Sequence, residues 1–124
     1  MWLEVTPNSY EYGIGFFGDE PGLMAEFRKF LREESEEFIK AAISCENSGA
    51  RLCGRQYKRP QPDCPMGLEE YYNCKDFYFI NFSGNTKDLE DETIIGILRN
   101  AYKAYAPMYR FLLKVSDSYF SKEE

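Results

Sequence analysis

The chain has 124 residues, 44% hydrophobic and 29% charged, a size and balance that fit one globular domain with a single core. Its 15 basic and 21 acidic residues give a net charge of −6, which disfavours a nucleic-acid-binding surface. Histidine is absent, and with it go the Ser-His-Asp triad, the Cys-His pair, imidazole acid–base catalysis and imidazole zinc sites.

In chain order, Trp2 to Thr6 predicts a short strand, and Pro7-Asn8-Ser9 supplies turn chemistry. Tyr10 to Phe17 alternates: Tyr10, Tyr12, Ile14 and Phe16 face one way, Glu11, Gly13, Gly15 and Phe17 the other. The two segments make a hairpin, with Gly13 and Gly15 open to a close approach. A helix starts at Gly18-Asp19-Glu20-Pro21, with Asp19 or Glu20 as cap and Pro21 in the first turn. Leu23, Phe27, Phe30 and Leu31 form its stripe. Phe38, Ile39, Ala42 and Ile43 form a second, with Ser35 as a possible cap. One helix over 21–45 and two helices both fit this pattern.

Arg51 to Arg59 predicts a strand, ended by three prolines between 60 and 65. Gly67 to Asn73 suits one or two helical turns. Asp76 to Phe82 predicts the strongest strand, apolar on both faces. Asp91 to Tyr105 predicts a helix with Ile94, Leu98, Ala101, Tyr102 and Tyr105 on one face. Pro107 is expected to break it near Ala106 and to open another helix. The fold class that follows is α+β: a small, mostly antiparallel sheet of about four strands, with helices against it and two C-terminal helices separated at the proline. The expected core comprises Phe16, Phe27, Leu31, Phe77, Phe79, Leu98, Tyr102 and Leu112.

No apolar stretch approaches the roughly 20 residues of a membrane helix, and the N-terminus does not read as a signal peptide, so the expected location is the cytoplasm. Cys45, Cys53, Cys64 and Cys74 include no Cys-x-x-Cys pair, so four independent thiols and no metal site are expected. Gly13-Ile14-Gly15 is a fragment of a dinucleotide fingerprint with no helix at the right place, so no cofactor is expected either.

Several ordered blocks resemble a family of bacterial conserved hypothetical proteins, domain of unknown function 2461. They are Tyr12-Gly13-Ile14-Gly15-Phe16, a helix with Met24, Phe27 and Arg28, Gly54-Arg55-Gln56-Tyr57-Lys58-Arg59-Pro60, Leu68 to Ile80, and Ala106-Pro107-Met108-Tyr109-Arg110-Phe111-Leu112. Cys74 stands where the family often has Arg, and Tyr71 where it often has Trp. The resemblance covers nearly the whole chain and supports one α+β domain over 1–124. It also implies longer relatives with an N-terminal helical region, of which this chain matches the C-terminal portion. It implies no activity.

Charge is uneven. Residues 1–49 carry net −6, residues 50–75 net +2 and residues 76–124 net −2, so a basic island lies in an acidic chain. Arg51, Arg55 and Arg59, four apart, would share a strand face, with Lys58 opposite. Lys75 joins them if the two strands pair. Arg55, Lys58, Arg59 and Lys75, supported by Tyr57 and Arg28, therefore form the candidate anion-binding set, because guanidinium and ammonium groups bind phosphate and carboxylate. The plainer alternative is neutralisation by neighbouring acids, with Glu70 and Asp76 the local ones, and a structural ion pair for Arg28. The aromatics Tyr71, Tyr72, Phe77, Tyr78 and Phe79 fit a core strand better than a base-stacking platform. Glu33/Glu34, Glu36/Glu37 and Glu69/Glu70 read as solvated faces, so no catalytic residue is assigned.

The functional expectation is a small cytoplasmic domain with an anion- or partner-binding surface. The alternative is a truncated or split enzyme completed by an N-terminal segment. The expected partners are a second copy or an upstream protein, with no nucleic acid and no membrane.

Overall fold

A computed structural model describes residues 1–16, 18 and 20–122. Strand β1 (Trp2–Thr6) and strand β2 (Ser9–Phe16) form the expected hairpin, closed by a Thr6–Ser9 hydroxyl bond. Phe17 and the expected cap Asp19 lie outside the described residues. Helix α1 (Pro21–Glu33) starts on its proline after an extended Glu20 that makes no side-chain cap bond. Helix α2 (Ser35–Asn47) follows, so 21–47 is two helices. Glu34 is the joint: its φ of −126° and ψ of 40° leave helical space, while its N–H donates back to Phe30 and its carbonyl accepts from Phe38. Ser35 is thus the first helical residue and not the cap.

Strand β3 spans only Arg51–Cys53, helix α3 Glu69–Tyr72 and strand β4 Phe77–Ser83. A 3-10 turn at Thr86–Leu89, not anticipated from the sequence, leads to helix α4 (Thr93–Lys122). The sheet is antiparallel throughout, in the order β1-β2-β4-β3. The α+β class and the strand number agree with expectation.

Two expectations are corrected. The first is the strand over 51–59. Gly54 adopts φ +114°, and a Cβ there would fall 2.1 Å from the Asp76 carbonyl oxygen, so the chain turns out of the ladder. Beyond it only Gln56 bridges to Cys74, and Arg51, Arg55 and Arg59 share no strand face. The second is the pair of C-terminal helices: α4 runs unbroken through Pro107. A mid-helix proline removes one hydrogen bond and crowds a carbonyl, at about 3 kcal/mol. Tyr105, Met108, Phe111, Leu112 and Val115 are all buried on one side of α4, spanning the proline. Burial stabilises each by roughly 1.5–3 kcal/mol, which outweighs that cost.

Helices α1, α2 and α4 cover one face of the sheet. Phe77 and Phe79 rise from β4 into Phe27, Phe38 and Phe111, with the Phe27 and Phe77 rings 4.6 Å apart. Of the expected core, Phe27, Leu31, Phe77, Phe79 and Leu112 are buried, while Phe16 and Leu98 are half-buried. Tyr102 is 65% exposed, because the inward row of α4 runs through Ala101 and Tyr105 and leaves Tyr102 a third of a turn away. One polar group enters the core from the sheet. Buried Asn81 accepts the Tyr105 hydroxyl proton and donates to the Ser48 carbonyl at 2.9 Å. The Trp2 indole lies on the other face, where a Cβ at Gly13 would fall 2.6 Å from it.

Candidate functional site

The basic island folds back on itself below β4. Lys75 N–H donates to the Arg55 carbonyl at 2.7 Å, and Tyr57 N–H to the Asn73 carbonyl at 2.8 Å. Gln61 N–H reaches the Asn73 side chain at 2.7 Å. This pairing brings Lys75 and Tyr57 together: Lys75 Nζ lies 5.4 Å from the centre of the Tyr57 ring. Arg28 arrives from α1, its guanidinium carbon 5.6 Å from the same centre. Both separations are within cation–π range.

The Arg28 Nη1 atom is buried and has no hydrogen-bond partner among the described residues. Among the described residues Arg28 forms no ion pair, so the structural pair that was the plainer alternative for it is not seen there. Lys58 and Arg59 are exposed on the adjoining loop, and neither makes an ion pair among the described residues. Arg32, one turn beyond Arg28, donates to the Tyr72 hydroxyl at 2.7 Å, and that hydroxyl donates to the Pro62 carbonyl. Arg32 pins the loop over α1. Its spacing of four from Arg28 was the available signal for placing both on one helix face.

Arg55 stands apart from the other cations. Its Nε and Nη2 grip buried Asp76 at 2.6 and 3.1 Å. Asp76 also accepts the backbone N–H of Gly18 at 2.5 Å and of Arg55 at 3.4 Å. These donors, Arg55 foremost, hold its carboxyl at a pKa of about 2 against the ordinary 3.8. Asp76 was one of the two acids expected to neutralise the island, and it does so for Arg55. The other, Glu70, is exposed and meets the island through its backbone carbonyl, which accepts from Gln56.

Other chemistry is sparse. All four cysteines are free, and burial raises the thiols of Cys45 and Cys74 to about 12 and about 11, which keeps them protonated and poorly nucleophilic. Among the described residues no three His, Cys, Asp or Glu side chains are grouped to hold a metal ion, and no helix is long and apolar enough to cross a membrane. A groove of about 500 Å³ between α2 and α4, lined by Tyr12, Ser44, Asn47, Ser48, Asn100 and Ala104, has no charged side chain in its wall.

The family model for the conserved hypothetical protein family DUF2461 matches residues 1–111, and the chain belongs to that family. No curated protein and no solved structure matches the chain.

Proposed function

We propose that this DUF2461 member is a binding domain whose Tyr57 corner takes a small oxyanion, the phosphate or carboxylate group of a ligand. Arg28 and Lys75 are the direct contacts. Lys58 and Arg59 add attraction from the loop, and Arg55 with Asp76 braces the corner. The observation that carries this reading is the buried Nη1 of Arg28, without a hydrogen-bond partner among the described residues, beside Lys75 and Tyr57. A buried donor with no acceptor is costly, and cations brought together favour an anion between them. The reading places the domain in the cytoplasm, in keeping with four free thiols.

Thermal unfolding in rising inorganic phosphate or sulfate tests it. A hundredfold excess over Kd is expected to stabilise by about 2.7 kcal/mol, a rise of several degrees that added chloride diminishes. Arg28→Gln removes the response, and Lys75→Ala and Arg59→Ala weaken it. A parent protein whose melting temperature ignores both anions overturns the reading.

A further inference from the structure

The sheet has a second face that no helix uses. The register places Trp2, Gly13, Ile80 and Arg51 in one row across it. Glu4, Glu11 and Phe82 form the next row on one side, and Gly15, Tyr78 and Cys53 the next on the other. None of these side chains joins the core on the opposite face. Phe82 is 69% exposed, Ile80 half-exposed, and Trp2 meets Tyr78 edge to face at 6.0 Å. The face is therefore apolar and aromatic at its centre.

Its charges are segregated. Glu4 and Glu11 are directly opposite each other on β1 and β2, a like-charge cross-strand pair, which is unfavourable. Among the described residues neither forms an ion pair. Arg51 stands exposed on β3 at the other edge, also without an ion pair among the described residues, beside a notch lined by Gly49, Ile80 and Phe82.

We infer that this face binds a second copy of the chain, face to face, with Arg51 of each copy answering the Glu4–Glu11 pair of the other. A two-fold axis along the strands, between β2 and β4, stacks β1 of one copy on β3 of the other. Arg51 then lies over Trp2, one row from Glu4 and one row and one strand from Glu11. A row is about 7 Å, within reach of an arginine side chain. The same operation covers Ile80 and Phe82, as in an aligned sheet sandwich. The contact is isologous, so each complementary pair occurs twice.

Sedimentation equilibrium of the full chain at physiological ionic strength, with tryptophan emission followed over the same concentrations, tests this. Trp2 is the single tryptophan, so its emission reports on this face alone. A monomer–dimer equilibrium is expected, with the Trp2 emission shifting to the blue as dimer forms. Phe82→Glu, Arg51→Glu and the double change Glu4→Arg with Glu11→Arg each weaken association by about tenfold or more. Mixing the Arg51→Glu chain with the Glu4→Arg, Glu11→Arg chain restores a dimer, because both junctions then join opposite charges. Circular dichroism confirms that the exposed-face variants keep the fold. A parent chain that stays monomeric, a dimer indifferent to these changes, or a mixture that does not reassociate overturns the inference.

Discussion

Arg55 and Tyr57 are two residues apart, yet their surroundings are opposite. Arg55 meets a buried carboxylate that also takes two backbone N–H groups. Tyr57 meets two cations, Arg28 and Lys75, with no carboxylate ion-paired to either among the described residues. A net charge of −6 makes acids abundant, but abundance does not place them. The turn at Gly54 delivers Asp76 to Arg55, and the pairing of 55–57 with 73–75 delivers Lys75 to Tyr57. One corner is closed by its own chain, and the other is the one for which we propose a ligand.

The sharpest way to break this contrast is to empty the closed corner. Asp76→Ala leaves the Arg55 guanidinium and the Gly18 N–H without their acceptor. It is expected to cost about 2–3 kcal/mol in urea denaturation, whatever the anion concentration. Acid does the same reversibly. The folded carboxyl titrates at about 2, below its ordinary 3.8, so the folded state holds the proton less tightly. Its contribution is complete above the ordinary value and is lost as the pH falls from there through about 2. Denaturation curves between pH 5 and pH 2 should show this decline, and Asp76→Asn should flatten it.

A smaller effect is expected when the open corner is closed artificially. Arg28→Met keeps an unbranched stem and removes the buried nitrogen that has no partner among the described residues. Its stability is expected to stay within about 1 kcal/mol of the parent or to rise, while phosphate-dependent stabilisation disappears. A matching loss of stability would make Arg28 a brace like Arg55 and erase the contrast. The smallest change is Lys58→Ala, an exposed loop residue, expected within about 0.5 kcal/mol in stability with a modest fall in phosphate affinity by calorimetry.

Much of the architecture was legible because it rests on local periodicity. Alternation over Tyr10 to Phe17 and the two-sided run over Asp76 to Phe82 located β2 and β4, and the stripes through Phe27 and Phe38 located α1 and α2. Features decided by distant contacts were not legible. Pro107 reads as a breaker until the buried residues on both sides of it are counted, and Tyr102 reads as core until the rotation of α4 over the sheet is known. At the candidate site the meeting of Tyr57 with Lys75 followed from strand pairing. The choice of Asp76 by Arg55 depended on the turn at Gly54, and the arrival of Arg28 and Arg32 depended on how α1 crosses the loop. A single sequence without its tertiary contacts holds neither.

Asn81 has a consequence for how the two layers are aligned. Phenylalanines packed on phenylalanines discriminate weakly between neighbouring placements of a helix over a sheet, since one ring fills the space of another. An amide is not interchangeable in this way. Moving α4 by one turn would carry the Tyr105 hydroxyl off Asn81, and sliding the end of α2 would withdraw the Ser48 carbonyl. Either leaves a buried polar atom unpaired, at about 1–3 kcal/mol. Asn81 thus acts as an index mark. The aromatic core holds the layers together, and this one side chain selects a single vernier setting between them.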